Sequence, residues 1–136
     1  MTPEQLAEIH AASFTQPRPW SAAEFGEFLA SPLCRLVTEE NGFALMRKAG
    51  PEAELLTIAV HPSARKNGIG RRLLDGVLAA AKADGCEEIH LEVVVDNAAA
   101  IALYERAGFT RSGVRKEYYS GPKGQKSSAL LMHKSI

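Results

Sequence analysis

Apolar and polar residues alternate along this chain with two periods, and the switches between them divide it into elements. Near the start, Leu6, Ile9 and Ala12 recur at helical spacing behind Thr2, Pro3 and Gln5. That trio supplies a capping residue, a proline suited to the first helical position and a capping-box partner. A loop from Phe14 to Trp20 follows, with two prolines. Ser21 and Glu24 then form a second capping box, and Phe25, Phe28 and Leu29 mark a helix face that ends at Pro32. The period then shortens to two. Leu36 to Thr38 runs into Asn41-Gly42, a hairpin signal, with Phe43 to Met46 as the return strand. Gly50-Pro51 turns the chain again, and Glu54 to Val60 reads as a third strand stopped by His61-Pro62.

After residue 70 the helical period returns. Leu73, Leu74, Val77, Leu78 and Ala81 form one stripe, and Gly85 is placed to end it. Glu88 to Val95 alternates cleanly: Ile89, Leu91, Val93 and Val95 on one face, Glu88, His90, Glu92 and Val94 on the other. Asp96 or Asn97 caps a short helix through Ala107 that Gly108 closes. Phe109 to Tyr119 and Ser127 to His133 predict two last strands around a Gly-Pro-Lys-Gly loop. The predicted order is αα-βββ-αβ-αββ, an α/β (α+β mixed) fold with a mixed sheet and helices on its faces. No repeat, low-complexity run or linker interrupts it, so residues 1–136 are expected to form a single domain.

Composition narrows the function. The chain has 136 residues, 46% of them hydrophobic, and a formal net charge of zero. A zero net charge gives no long-range field toward nucleic acid or membrane, and no direct nucleic-acid binding is expected. No apolar run is long enough to span a bilayer, and the N-terminus lacks a signal pattern. The two cysteines, Cys34 and Cys86, and the four scattered histidines offer no metal spacing. A soluble, cytoplasmic protein without a metal is expected.

The basic, glycine-bearing loop Arg65-Lys66-Asn67-Gly68-Ile69-Gly70-Arg71 stands between a strand and a helix. A helix N-terminus presents unpaired N–H groups and partial positive charge, and glycines let a phosphate approach them. A glycine turn with solvated basic residues accounts for the same pattern. A kinase-type phosphate loop is not present: in Gly121-Pro122-Lys123-Gly124-Gln125-Lys126-Ser127, Gln125 stands where glycine must precede the lysine. A dinucleotide fold needs a third glycine where Leu73 stands, although Glu88 sits at a spacing that fold would use.

Glu92 is a carboxylate in the middle of an apolar strand, either turned to water or serving as a base for an incoming amine. A free α-amine has a pKa of about 8, so modest help suffices near neutral pH. Tyr104 shares a helix face with Ile101 and is either core or a proton donor to a leaving thiolate. Asn97 is explained as a helix cap and also suits an amide of a long ligand.

Several segments together carry a resemblance. They are Ile58-Ala59-Val60-His61-Pro62, Arg65-x-x-Gly68-x-Gly70, Leu91-Glu92-Val93 and the stretch from Asn97 through Tyr104 to Phe109. This set resembles the GNAT acetyltransferases, and within them the RimI-type ribosomal-protein alanine N-acetyltransferases. Arg18-Pro19-Trp20-Ser21 and Val114 to Tyr118-Tyr119 look like that group too. The resemblance implies acetyl-CoA as cosubstrate and direct attack by an amine on the thioester. In that scheme Ile58, Ala59 and Val60 lie along the acetyl-pantetheine arm, with Ile58 and Val60 offering backbone groups. Arg65, Lys66, Asn67, Gly68, Ile69, Gly70 and Arg71 hold the pyrophosphate. Asn97 bonds the CoA arm, Glu92 accepts a proton, and Tyr104, also against the cofactor, returns one to the thiolate. The sheet would splay after Val60, and a backbone N–H there would steady the oxyanion by about 3 kcal/mol.

Trp20, Tyr118 and Tyr119 flank the expected acceptor groove, and loop packing alone would also account for them. The acceptor implied by the resemblance is a protein or peptide N-terminus, that of a ribosomal protein among them. A GNAT enzyme acting on lysine or a small amine, and a non-enzymatic acyl-CoA-binding module, are the rival readings. Family members usually open with a strand, whereas Thr2-Pro3 starts a helix directly. The first strand is therefore expected to be missing, through either a misassigned start or a true loss that leaves a sheet edge exposed.

Overall fold

The computed structural model describes the backbone of residues 1–13, 19–65, 67–120 and 126–136, and the side chains of these except 117–120 and 126. Eleven elements follow one another: α1 (Pro3–Ser13), α2 (Ala22–Ala30), β1 (Cys34–Glu39), β2 (Gly42–Ala49), β3 (Glu52–Val60), a single 3-10 turn (Pro62–Ala64), α3 (Ile69–Ala83), β4 (Glu88–Val94), α4 (Ala98–Arg106), β5 (Thr110–Ser120) and β6 (Lys126–Ser135). The 3-10 turn aside, this is the order that the periodicities predict. Both capping boxes form. Thr2 N–H donates to Gln5 Oε1 at 2.8 Å, and Gln5 N–H donates to Thr2 Oγ1 at 3.2 Å. Ser21 and Glu24 exchange the equivalent pair at 3.1 and 3.2 Å. Such reciprocal bonds satisfy N–H groups that a helix start leaves open.

The six strands form one sheet in the order β1-β2-β3-β4-β6-β5. All neighbours are antiparallel except β3 and β4, which run parallel. Helices cover both faces, and each face has its own core. On one side α3 sends Ile69, Leu73, Leu74, Val77 and Ala81 against Ala44, Met46, Leu55 and Ile89, and α4 adds Ile101 and Tyr104. On the other, Leu6 of α1 and Phe25 of α2 close over Phe43 and Ala59, with Trp20 and Leu36 at the margin. The buried stripe of α1 is Leu6 and His10; Ala12, expected on that face, is exposed. No described helix is long and apolar enough to cross a membrane.

Two local readings need correction. The β1–β2 register pairs Glu39 with Gly42, so the hairpin turns on Glu40-Asn41, and Asn41 takes the positive φ of 62°. Gly42 lies inside β2 instead. A Cβ there would come within 3.0 Å of Ile69 Cγ2 and 3.1 Å of Ala59 O, so glycine lets α3 pack close to the sheet. The second correction concerns where the sheet opens. β3 and β4 pair only from Glu52↔Glu88 to Leu55↔Leu91. Beyond that point β3 follows β2 to Val60, and β4 follows β6 to Val94. The split starts after Leu55 rather than after Val60.

A bulge marks the opening. Leu45 faces Thr57 and Met46 faces Leu55, which leaves Leu56 as an extra residue on β3. One inserted residue reverses the side-chain parity downstream. Ala53 and Leu55 accordingly belong to the α3 core and so do Ile58 and Val60, whereas Thr57 turns toward α1 and Ala59 joins the α1–α2 core.

Candidate active site

The gap between the diverging ends of β3 and β4 is a cavity of about 110 Å³. Thr57 and Ile58 line one wall, Glu92 and Val94 the other; Asn97, Ala100 and Tyr104 of α4 stand at one end, and His10 and Trp20 come from across the sheet. A second cavity, about 410 Å³, opens beside it between Trp20, Glu54, His90, Ser112 and Arg115. Trp20, Leu55, Leu56, Leu91 and Glu92 line both. The split in the sheet thus joins two chambers, and Glu92 stands where they meet.

Backbone groups face this gap for a reason set by register. Residues of an antiparallel pair alternate between bonding across and pointing away. His61 N–H donates to Asn41 O at 2.8 Å, so the Val60↔Gly42 pair beside it does not exchange bonds. By alternation Ala59 bonds to Phe43, while Ile58 and Val60 direct their N–H and C=O toward the gap. The Val60 carbonyl already accepts Ser13 Oγ at 3.0 Å and Arg65 Nε at 3.3 Å. Ile58 is the residue placed to offer both groups to a ligand. Ala59, expected along the cofactor arm, is not brought there: its backbone serves the β2 ladder and its methyl is buried in the other core.

The glycine loop opens α3. Gly68 is the N-cap, at φ 74° and ψ 8°, and no side chain caps the helix. Ile69, Gly70 and Arg71 follow as its first turn, whose N–H groups have no partner within the helix. The two glycines differ in kind. Gly68 occupies left-handed backbone that disfavours other residues. Gly70 has no such constraint, and a Cβ there would meet only Leu103 Cδ2 at 3.4 Å, an ordinary contact. Nothing described in the protein demands glycine at 70. The loop also fits an anion electrically, by helix dipole and by Arg65, Arg71 and Arg72. Arg71 meets Asp75 at 3.1 Å and Arg72 meets Glu39 at 2.6 Å, both exposed pairs that leave their cations at the surface. Asn67 Nδ2 donates to Ala64 O at 3.2 Å and shapes the turn before the helix. Lys66 lies outside the described residues.

Tyr104 is buried at 5% exposure, with its ring 5.9 Å from that of Phe109. It belongs to the core and also reaches the first cavity. Asn97 caps α4 by accepting Ala100 N–H at 3.2 Å, and it lines that cavity as well. Glu92 Oε1 lies 3.1 Å from Nη1 of Arg115 on β5. The sheet order, with β6 between β4 and β5, brings Arg115 to the acid. Trp20 stacks on His10 with centroids 5.1 Å apart and also packs against Phe25 and Phe28. Tyr118 and Tyr119 lie on β5, with their side chains outside the described residues. Sequence reasoning missed Thr57 and His10 as cleft residues. The available signal was His10 itself, a polar residue four places after Leu6 on the buried stripe of α1.

The family model described as Acetyltransferase (GNAT) family matches residues 4–109. The chain belongs to the GNAT acetyltransferases. It is therefore an N-acetyltransferase, with acetyl-CoA as cosubstrate. It is 39% identical over 125 residues to the N-alpha-acetyltransferase RimI of Mycobacterium tuberculosis, covering 85% of this chain and 77% of that one. It is 31% identical over 134 residues to the [ribosomal protein bS18]-alanine N-acetyltransferase of Escherichia coli, covering 96% and 90%. The crystal structure of the Escherichia coli ribosomal-protein-S18-alanine N-acetyltransferase superposes with a TM-score of 0.87 at 30% identity, covering 98% of this chain and 87% of that one.

Proposed function

We propose that this GNAT transferase moves the acetyl group of acetyl-CoA onto the α-amine of a protein N-terminus, with a ribosomal protein beginning in alanine as the acceptor. The reading takes residues 1–136 as one transferase domain working in the cytoplasm. One observation carries it: the two chambers meet at Glu92, so that a donor can enter from the α3–α4 side and an extended peptide end from the β4–β5 side. Likeness to alanine N-acetyltransferases that spans nearly the whole chain supports the choice of acceptor.

When bound, acetyl-CoA supplies an acyl group on a good thiol leaving group. The chain's own residues supply the rest. The open first turn of α3, with Arg65 and Arg71 around it, holds the pyrophosphate. Ile58 extends its N–H and C=O to the pantetheine arm, and its N–H is placed to steady charge on the thioester oxygen, an effect worth about 3 kcal/mol where such donors are preorganised. Asn97 bonds the same arm from the start of α4. Glu92 takes a proton from the incoming ammonium, directly or through water, and Tyr104 gives one to the departing thiolate. Positioned proton transfer of this kind contributes roughly 10²–10⁴-fold. Trp20, Tyr118 and Tyr119 border the acceptor.

Release of CoA thiol, measured with alanine-initiated peptides, lysine-bearing blocked peptides, polyamines and amino sugars, tests the reading. Turnover on the free alanine peptides is expected. Turnover confined to polyamines or sugars would sink it, and CoA binding without turnover on any acceptor would point to a binding module. Comparing intact masses of ribosomal proteins with and without the gene then identifies the natural acceptor.

A further inference from the structure

Among the described residues, His10 is the most deeply buried ionisable side chain at the cavity, 2% exposed, and the mechanism above gives it no task. Both of its ring nitrogens are engaged. Nδ1 accepts the backbone N–H of Trp20 at 3.0 Å, which puts the ring proton on Nε2 and directs it to Thr57 Oγ1, 3.0 Å away. Its ring also stacks on the Trp20 indole, 5.1 Å away at 29°, and meets Phe25 edge-on at 5.4 Å. Each tie reaches a part of the site with a separate role. Among the described residues, Trp20 is the one outside the sheet that lines both chambers. Thr57 directly follows the Leu56 bulge and directly precedes Ile58, whose backbone groups face the gap. Only the parity reversal at the bulge turns the Thr57 hydroxyl toward α1.

We propose that His10 is a positioning residue: it ties the Trp20 wall to the open segment of β3 and so sets the mouth between donor and acceptor chambers. The assignment rests on the acceptor reading above. The tie has direction. A histidine held only by packing could be replaced by phenylalanine of similar shape, but the two hydrogen bonds span from an irregular loop end to a strand freed from its neighbour. Loss of either bond leaves a buried polar group unpaired, which costs more than the bond itself is worth. Trp20 lies outside any helix or strand and β3 beyond Leu55 is held by β2 alone, so the loss should fall on their separation. Acceptor binding, which depends on Trp20, should suffer before donor binding, which depends on α3 and Ile58.

Three single variants and one double variant test this, read by peptide KM, acetyl-CoA affinity and Trp20 quenching. Thr57→Val removes the hydroxyl with little change of shape, and His10→Phe removes both bonds while keeping a ring; His10→Gln restores an amide donor and acceptor. Trp20 is the single tryptophan of the chain, so its fluorescence reports on the tie directly. Thr57→Val is expected to raise KM for an alanine-initiated peptide about tenfold, one buried hydrogen bond passed on to acceptor affinity. The dissociation constant for acetyl-CoA should stay within about twofold, since no donor contact is removed, and acrylamide quenching of Trp20 should rise. His10→Phe should add little on top of Thr57→Val in the double variant, and His10→Gln should recover part of the loss. Unchanged Trp20 quenching in folded Thr57→Val and His10→Phe would overturn the proposal. So would donor and acceptor constants that rise together in step with a lowered melting temperature, the mark of a merely structural core residue. If the wild-type protein acetylates no alanine peptide, the acceptor assignment fails, and Trp20 quenching alone still decides whether the tie exists.

Discussion

The β3–β4 pair is two structures in succession. From Glu52 to Leu55 the strands are bonded neighbours in a parallel ladder, and their inward residues Ala53, Leu55, Ile89 and Leu91 pack beneath α3. From Thr57 to Val60 and Glu92 to Val94 the same two strands diverge, each kept in the sheet by its outer neighbour alone. The closed half satisfies its backbone and contributes a core. The open half turns the Ile58 backbone groups toward the gap, bonds the Thr57 hydroxyl to His10, and admits a carboxylate and a tyrosine. Buried backbone groups without partners are costly, so an opening of this kind persists where a ligand supplies the missing bonds. One half is a closed ladder over a core and the other lines a cavity, within a single pair of strands.

The strongest way to break that division is to remove chemistry from the open half without touching the closed one. Glu92→Gln keeps shape and strand register. It should lower kcat by roughly 10²-fold or more, as loss of a positioned base does, with acetyl-CoA affinity within about twofold. Tyr104→Phe should fall in the same direction, by a similar factor. Pre-steady-state acetyl transfer measured beside equilibrium CoA binding checks both. Undiminished rates in both variants would remove these side chains from the reaction and leave the gap as a binding feature only.

Next in size comes the donor loop, where two glycines two places apart should respond in opposite ways. Gly70→Asp puts a negative charge on the first turn of α3. An acid there suits the helix dipole and the site has room, so the melting temperature should hold or rise slightly. The same charge faces the pyrophosphate, and CoA affinity should drop by about 100-fold, read by calorimetry at fixed ionic strength, since several charge-assisted bonds are lost. Retained affinity would discredit the loop as the phosphate site. Gly68→Ala should do the reverse. Its φ of 74° makes any Cβ unfavourable by about 1–2 kcal/mol, and the nearest atom, Arg72 Nη1 at 3.3 Å, can move aside. Urea unfolding should show that loss, with CoA affinity changed by less than about threefold once the protein is folded.

What could be read from the chain follows the same line. Elements coded locally were legible: the capping boxes at Thr2 and Ser21, the apolar stripe of α3, the alternation of β4, the Asn97 cap. The glycine-opened start of α3 was legible because its glycines and its helix are adjacent in sequence. What stayed hidden depends on pairing. The residues from Glu54 to Val60 read as one uninterrupted strand. Only the partner register on β2 shows that Leu56 is extra and that parity reverses after it. The point of divergence was misplaced for the same reason, since no residue of β3 marks where β4 departs. His10 on α1 and Thr57 are 47 positions apart, and their contact exists only once α1 lies across the bulged strand.

The smallest expected effect bears on how the acid in the open half is held. Arg115 contacts Glu92 at 3.1 Å, but their side chains are 52% and 30% exposed. A pair that open to water is worth about 0.2–1 kcal/mol and weakens with salt. Arg115→Met should therefore shift unfolding free energy by less than about 1 kcal/mol and leave the fold intact. If Glu92 works as a base, it must exchange this guanidinium for an incoming ammonium, and a weak exposed pair permits that exchange where a buried one would resist it. The variant should then change kcat/KM by only a few-fold, a change that shrinks as salt is added, because screening already weakens the pair in the wild type. A loss as deep as that of Glu92→Gln would mean that the ion pair, not the carboxylate, is the working unit, and that the open half contains a permanent structural bond of its own.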